Sequence, residues 1–226
     1  IWKHIATLRN EGYDVESSPR KGYLLRGSPD VLTELEVLSG LNTKVIGHHG
    51  ICYLQEVEST NGKAKELALA GAEEGTVVIA EMQSEGKGRR KRTWHSVSGK
   101  GIYVSLVLRP EILPVDASKI TLLSSVAAAE TIQSITGLAP QIKWPNDIMV
   151  GQRKICGILT ELGTELDAVE YIVVGCGMNI NIRENEFPKD IRCMATSLLR
   201  ETGRSWPRIE ILRCYLERYE HFYDIF

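Results

Sequence analysis

A short run of basic residues between two apolar segments constrains this chain more than any other feature. Five of the six residues in the run 87–92 are Lys or Arg, with Gly86 and Gly88 at its front. The flanking segments, 76–80 (TVVIA) and 102–108 (IYVSLVL), are rich in β-branched and aromatic residues, which predicts strands. The basic run is therefore predicted to be a loop that connects two strands.

A charge run is usually a solvated surface, and a short basic run can also be a nucleic-acid patch. Here the two glycines and Trp94 at the end of the run favour a ligand-binding loop. Glycine lets the backbone fold tightly against a ligand. Because the packed cations repel one another, we expect the loop to order when bound phosphate neutralises it and then to exclude water. The formal net charge of −2 makes the basic run a local feature.

Length and composition are those of an ordinary globular protein. The 226 residues suffice for one large domain, or one domain with a small appendage. The chain is 43% hydrophobic and 25% charged, as soluble domains commonly are. No apolar run approaches the ~20 residues of a membrane span, and no signal peptide is visible, so no membrane partner is expected. The five cysteines form no CxxC pair and are odd in number, which favours reduced thiols, mostly in the core, and a cytoplasmic location.

A second segment indicates a phosphate site. Residues 141–150 and 153–161 are predicted to form a β-hairpin with a two-residue Gly-Gln turn. Lys143 and Lys154 lie on opposite strands, and a lysine inside an apolar strand needs an anion or a route to water. Pro145 favours an extended residue before it, so the Asn-Asp pair that follows is predicted to form a sharp corner.

Two further polar segments follow predicted strands. Strand 51–57 leads into residues 59–62 (STNG), which open a helix. Such residues commonly cap a helix, but the same hydroxyl and N–H groups can hold a neutral polar head group or an anion, and both interpretations stay open. Strand 168–175 ends in residues 175–179 (GCGMN), where glycine allows close backbone approach and the Asn can hydrogen-bond a ribose or phosphate.

Taken together, these four segments resemble the biotin protein ligases. Residues 86–94 (GKGRRKRTW) look like the adenylate-binding loop of that family, whose pattern is GRGRxGRxW. Residues 143–147 (KWPND), followed by KxxGILxE at 154–161, form its most distinctive signature and stand intact here. The Ser-Thr-Asn and GxGxN segments also match, in the right order. The chain departs from the family pattern at Lys87, Lys91 and Gly62.

The resemblance implies an α/β (α+β) fold for residues 51–226: a mixed β-sheet with helices on one side, similar to the class II aminoacyl-tRNA synthetase core. Periodicity predicts a buried helix over 116–136 and a last amphipathic helix over 207–226. The family usually continues into a C-terminal SH3-like barrel, said to assist ATP and acceptor binding, which is absent here. Both ends of the sequence suggest part of a longer protein.

The resemblance also implies a two-step reaction with ATP, Mg²⁺ and biotin. The carboxylate of biotin attacks the α-phosphate of ATP, giving biotinyl-AMP and pyrophosphate, and a lysine of a biotin carboxyl carrier protein then takes the biotinyl group. Since the first step brings two anions together, positive charge around the α-phosphate is the main requirement. Catalytic roles are assigned to Lys154 and Arg89, with Lys143 at the outer phosphates and Asp147 near the acceptor lysine or the metal.

The family's motifs imply the remaining site residues by position. The predicted biotin-binding residues are Ser59, Thr60, Asn61, Gln83, Gly86, Lys87, Gly88, Arg89, Lys154 and Gly157. The predicted nucleotide-binding residues are Arg90, Arg92, Trp94, Lys143, Asn146 and Asn179. The metal ligands stay unassigned. In the family the basic loop also retains the reactive adenylate, a role that here belongs to Arg89.

Residues 1–27 are predicted to be part of a DNA-binding module. A helix over 1–11 and a hairpin over 13–25 look like the second half of a winged helix-turn-helix, which precedes the catalytic domain in biotin ligases that also repress the biotin operon. Residues 28–50 are predicted to be a linker helix, capped by Ser-Pro-Asp at 28–30, and a linker. The DNA-binding residues would be Lys3, His4, Thr7, Arg20 and Lys21.

A recognition helix needs a three-helix core to hold it rigid. Operator DNA is therefore expected as a partner of the longer protein, and the alternative is an appendage that only packs. The oligomeric state is open, with a homodimer as one option.

Two other functions compete with biotin ligation. A lipoate or octanoate protein ligase would share the fold, but those relatives lack the GxGRxxRxW loop. A DNA-binding regulator that senses biotinyl-AMP without transferring biotin is the non-enzyme alternative. Ligation and repression can also coexist in one protein.

Overall fold

The computed structural model describes residues 1–10, 12–19, 21–165 and 168–226. They form two compact units, Ile1–Val31 and Leu32–Phe226. Within this described part, no helix is long and apolar enough to cross a membrane.

The small unit is a helix followed by a hairpin, as the sequence pattern predicts. Helix α1 (Trp2–Asn10) precedes strands β1 (Asp14–Ser18) and β2 (Gly22–Gly27), which pair antiparallel. The guanidinium of Arg9 donates to the carbonyl of Val15 and so ties the helix to the hairpin. Of the predicted DNA-binding residues, Arg20 lies outside the described residues, and four are exposed: Lys3, His4, Thr7 and Lys21.

The predicted linker helix is shorter than expected and begins later. Helix α2 spans Glu34–Leu38, and its N-cap is Thr33, whose hydroxyl accepts from the N–H of Glu36 at 3.4 Å. The Ser-Pro-Asp segment does not cap it. Leu32 and Val37 are fully buried in the main core of the large unit, so this segment packs there as an integral part of it.

Seven strands form one mixed sheet in the large unit. Its order is β3-β4-β5-β9-β8-β7-β6, where only β3 and β4 run parallel. The parallel pair is joined through helix α3 (Thr60–Leu69), because a parallel connection needs a crossover. The strands are β3 Ile51–Val57, β4 Val77–Gln83, β5 Gly101–Leu108, β6 Gln141–Lys143, β7 Asp147–Val150, β8 Arg153–Glu165 and β9 Ala168–Asn179.

Helices cover both faces of the sheet, which corrects the prediction of helices on one side. Helices α4 (Ala117–Thr136) and α6 (Arg208–Ile225) pack on one face over the larger core. Helix α3 packs on the other face, against Val78, Val107 and Val173. The reason is the alternation of strand side chains, since these valines have neighbours along the chain that belong to the larger core. A short helix, α5 (Leu198–Thr202), precedes α6.

Segment 141–150 was predicted to be one strand of a hairpin, and this prediction is wrong. The segment folds back on itself into β6 and β7, which pair antiparallel with Lys143 opposite Asp147. The reversal falls at the Trp-Pro-Asn sequence between them, where Pro145 has no N–H to give to a ladder. The peptide bond before Pro145 is cis. The side chain of Trp144 is 78% exposed as a result of this turn.

All five cysteines are free, as predicted, but fewer lie in the core than expected. Cys156 and Cys176 are buried, with their sulfur atoms 3.6 Å apart. Cys193 is exposed because it lies in the loop before α5, and the other two, Cys52 and Cys214, are half-buried.

A buried ion pair connects the end of β4 to the start of α6. One guanidinium nitrogen of Arg208 lies 2.6 Å from a carboxylate oxygen of Glu81, and both side chains are more than nine-tenths buried. The same carboxylate accepts from the N–H of Leu32 and the hydroxyl of Tyr53. Burial, together with this carboxylate, raises the pKa of Tyr53 to about 12. The pair fixes β4 two residues before Gln83, which enters the site.

Candidate active site

A pocket of about 440 Å³ opens on the α3 face of the sheet. Its floor is made by glycines of two paired strands: Gly157 of β8 lies opposite Gly177 of β9, and Gly175 lies opposite Leu159. Because these glycines carry no Cβ, side chains of other elements lie directly against the floor: the indole of Trp94 over Gly157 and Gly177, and the amide of Asn61 over Gly175. The lining residues are Ser59, Thr60, Asn61, Gln83, Lys87, Gly88, Arg89, Trp94, Asn146, Lys154, Gly157, Ile158, Leu159, Gly175, Cys176 and Gly177.

Trp94 forms a wall of the pocket because the floor lacks side chains. A Cβ atom added at Gly177 would lie 2.6 Å from Cε2 of the indole, and one added at Gly157 would lie 3.0 Å from Cζ3. The ammonium of Lys154 lies 5.3 Å from the centroid of the same ring, within cation–π range. The indole, packed on these glycines, thus forms the apolar side of a slot for a ligand segment.

Replacement of Gly177 by alanine is expected to weaken biotin binding by roughly five- to a hundredfold. The new methyl group overlaps the indole of Trp94, and overpacking of this kind costs about 1–3 kcal/mol. Calorimetric titration with biotin measures the effect. Gly27→Ala is the matched control, because its Cβ would meet Asp14 at an ordinary 3.9 Å. An unchanged Kd for the Gly177 variant would contradict the placement of the slot.

One end of the pocket is polar and neutral. Ser59 caps α3, and Thr60 and Asn61 follow at the start of the helix, all three buried. The side-chain oxygen of Gln83 accepts from the N–H of Thr60 at 2.8 Å. The capping interpretation of this segment is confirmed, and ligand binding by the same residues stays a prediction.

The other end of the pocket carries the cations. Lys154 lies 2.6 Å from the carboxylate of Asp147 across the β7–β8 ladder. Arg89 reaches from the basic loop to the opposite wall, where its guanidinium donates to the side-chain oxygen of Asn146 at 3.0 Å. Asn146 is held in turn by its bonds to the backbone of Ile158. The predicted corner after Pro145 thus faces the basic loop.

The basic loop forms a narrow turn over the pocket. Gly88 and Arg92 are joined by a backbone hydrogen bond of 2.7 Å, and the Trp94 N–H bonds to the Gly86 carbonyl at 2.7 Å. At the tip, Arg90 and Lys91 have φ angles of 56° and 60°, a region that favours glycine. Lys91 stands where the resembled pattern has glycine, so this chain holds a side chain in the conformation that the pattern supplies without strain.

The structure brings most of the predicted residues together, but not all. Nine of the ten predicted biotin-binding residues line the pocket, and the tenth, Gly86, lies at the base of the loop. Trp94 and Asn146 line it too, whereas Arg90 and Arg92 line a neighbouring open cavity together with Leu159 and Glu161. Lys143 is exposed beyond the rim. Asn179 is buried and donates to the carbonyl of Thr196, so it supports the neighbouring loop instead of facing the pocket.

Several residues of the site were missed by the sequence analysis. Ser105 is fully buried on β5, with its hydroxyl 2.8 Å from Thr60 and 2.7 Å from Asn61. Glu161 lies 2.7 Å from the Asn61 amide nitrogen. The only available signal was a polar residue within an apolar strand, in the case of Ser105, and the last position of the KxxGILxE pattern, in the case of Glu161.

The nearby thiol and phenol do not act as nucleophiles at neutral pH. Burial raises the pKa of the Cys156 thiol well above its ordinary value, with Cys176 adding to the effect. Burial likewise raises the pKa of Tyr103 to about 12. Both groups therefore stay protonated, which agrees with a reaction that needs no covalent enzyme intermediate.

Comparison with known proteins identifies the family. The profile of the Biotin/lipoate A/B protein ligase family matches residues 53–179. The bifunctional ligase/repressor BirA of Bacillus subtilis is 42% identical over 226 residues, covering 98% of this chain and 69% of that protein. BirA of Escherichia coli is 34% identical over 186 residues, covering 82% of this chain and 56% of that protein.

A solved structure gives the same result. The biotin protein ligase from Aquifex aeolicus in complex with biotin and ATP superposes with a TM-score of 0.66 and 31% identity, covering 77% of this chain and 70% of that one. Together with the intact KWPND and KxxGILxE segments in one pocket, these matches show that the chain belongs to the Biotin/lipoate A/B protein ligase family and, within it, to the biotin protein ligases.

Proposed function

We propose that the chain activates biotin with ATP as biotinyl-AMP and transfers the biotinyl group to a lysine of a biotin carboxyl carrier protein. One observation carries this proposal. A single pocket is lined by a neutral polar network, by the apolar indole of Trp94, and by the cations Lys154 and Arg89. Biotin has a complementary part for each: a cyclic urea, a thiolane with an apolar chain, and a carboxylate.

The cations supply the main catalytic effect. Attack of a carboxylate on a phosphate brings two negative charges together, and fixed positive charges lower that barrier most when they surround the reacting α-phosphate. Lys154 and Arg89 project into the pocket from opposite sides, one from β8 and one from the loop. Asp147 and Asn146 hold them in place before the substrates bind.

Mg²⁺ is proposed to enter with the phosphates of ATP. This ion prefers oxygen ligands, keeps several waters, and usually takes one or two carboxylates together with substrate phosphates. Asp147 is the carboxylate at the cation end that fits this role. Among the described residues no cluster of three or more His, Cys, Asp or Glu offers a cage of protein ligands, which agrees with a phosphate-borne ion.

The transfer step needs access for the acceptor lysine. The loop covers the pocket through the Arg89–Asn146 bond, so the mixed anhydride is shielded from water until the carrier arrives. The alternative role of Asp147, beside Lys154, is to orient the incoming ammonium group instead of contacting the metal. The names of relatives such as the biotin–[acetyl-CoA-carboxylase] ligase of Mycobacterium tuberculosis support a carboxylase carrier as the acceptor.

A regulatory role is proposed for the full-length protein, since the relatives named BirA are described as bifunctional ligase/repressors. The exposed residues Lys3, His4 and Thr7 of α1, and Lys21 in the hairpin turn, would contact operator DNA as part of a winged helix-turn-helix. The class II synthetase-like architecture of residues 51–226 is part of the same proposal. A gel-shift assay with full-length protein and operator DNA, with and without biotinyl-AMP, tests the DNA contact.

Calorimetric titration of this chain with biotin, then with biotin, ATP and Mg²⁺, tests the enzymatic proposal. We expect biotin uptake, followed by retention of biotinyl-AMP that mass spectrometry detects in the complex. A competing titration with lipoate or octanoate separates the alternative, which the family name also covers. Binding of either acid in preference to biotin would overturn the assignment.

A further inference from the structure

Five polar side chains form an unbroken series of contacts that ends in the pocket. Glu161 contacts the amide nitrogen of Asn61 at 2.7 Å, and the amide oxygen of Asn61 lies 2.7 Å from the hydroxyl of Ser105. That hydroxyl lies 2.8 Å from the hydroxyl of Thr60, which lies 3.1 Å from the side-chain oxygen of Gln83. The series spans strands β5, β9 and β8 at one level of the sheet, because Ser105 and Leu159 both lie opposite Gly175.

The orientation of the Asn61 amide is fixed by two groups that can only accept. Its nitrogen lies 2.7 Å from the carboxylate of Glu161 and 3.2 Å from the carbonyl of Leu159. An ionised carboxylate and a carbonyl have no hydrogen to give. The amide nitrogen must therefore face them, and the amide oxygen must face Ser105.

This orientation sets the direction of the next two hydroxyl groups. Ser105 has one hydrogen, and the oxygen of Asn61 can only accept, so the hydrogen of Ser105 points to Asn61. The hydroxyl of Thr60 then gives its own hydrogen within the network, to Ser105 or to Gln83. In both cases a lone pair of Thr60 is left to face the pocket.

The other groups at this end are donors. The side-chain oxygen of Gln83 already accepts from the N–H of Thr60, so its amide nitrogen is directed to the side of Gly86. The hydroxyl of Ser59 accepts from the N–H of Gly62 as the helix cap, which leaves its hydrogen to donate. This end of the pocket thus presents one acceptor, Thr60, and two donors, Gln83 and Ser59. The set complements a cyclic urea, whose ring N–H donates and whose carbonyl accepts.

We infer that Glu161, which lines the open cavity beside the basic loop and not the pocket itself, is a positioning residue that sets this hydrogen-bond polarity and so selects the urea ring of biotin. The inference rests on the proposed function. Through Asn61 and Ser105, the carboxylate makes Thr60 an acceptor for a ring N–H. A ligand whose ring nitrogen carries no hydrogen is rejected because it leaves this acceptor without a partner in a buried site.

The test compares Glu161→Met with Glu161→Gln in steady-state adenylation assays. Methionine has a similar volume but cannot accept a strong hydrogen bond, so we expect the KM for biotin to rise roughly tenfold, with kcat and the KM for ATP unchanged. Glutamine can present its carbonyl oxygen to Asn61, so this variant should stay within about twofold of the wild type. Glu170→Met, at an exposed site on β9, is the control and should not differ from the wild type.

A second measurement separates polarity from folding. A biotin analogue methylated on a ring nitrogen should be rejected by the wild type and rejected much less by Glu161→Met. If the KM for biotin rises equally in the Met and Gln variants, the charge of Glu161 matters and the direction of its hydrogen bond does not. An unchanged KM in Glu161→Met would also overturn the inference. Wild-type protein that takes up no biotin would instead overturn the proposed function itself.

Discussion

Replacement of Lys154 by alanine is expected to slow the formation of biotinyl-AMP by roughly two to three orders of magnitude. A fixed charge aimed at a reacting oxyanion in a water-excluded site contributes about 2.7–4 kcal/mol to the transition state. The change also removes the cation that lies 2.6 Å from the Asp147 carboxylate. That carboxylate is then an unpaired negative charge facing the phosphates. Both effects act in the same direction on the chemical step.

Pyrophosphate release in a single turnover measures this step directly. Lys189→Ala removes an exposed lysine on the loop before α5 and serves as the control, with no change expected. If biotin binding stays normal while adenylation falls, Lys154 acts on the transition state. Near-normal pyrophosphate release would remove Lys154 from the catalytic role.

Replacement of Arg89 by glycine is expected to release biotinyl-AMP into solution and to biotinylate bystander proteins. The guanidinium is the side chain that joins the basic loop to the opposite wall, at Asn146. Without it the loop loses its anchor and the charge that faces the adenylate. The mixed anhydride then escapes and reacts with any exposed lysine.

Streptavidin blotting of added serum albumin detects this labelling. Asn146→Ala removes the other half of the same bond and should give the same result to a smaller extent, because Arg89 keeps its charge. Omission of ATP should abolish all labelling. Full retention of the adenylate by the Arg89 variant would show that another group closes the site.

The sequence predicted which residues form the site better than it predicted how they are arranged. Lys154 and the basic loop stand out because charge and glycine are unusual between apolar strands, and the structure places both at one pocket. Ser105 could not be found this way, since a small polar residue in a strand gives no pattern until its partners are known. The sequence predicted a corner after Pro145, but a corner signal does not show that the chain reverses there and pairs β6 with β7. Helices on both faces were missed because the one-sided arrangement was taken from the resemblance, and the weakly amphipathic sequence of α3 does not show which face of the sheet it covers.

Arg208 lies far after Glu81 in the sequence, and this separation affects when β4 can fold during synthesis. A buried carboxylate that loses its partner is strongly destabilising, so β4 cannot settle with Glu81 inside until Arg208 has left the ribosome. The N–H of Leu32 donates to the same carboxylate, so this hydrogen bond also forms only then. The nascent chain therefore completes the strand that carries Gln83 only after α6 begins to emerge, and the ability to hold biotin arises no earlier than that point of translation.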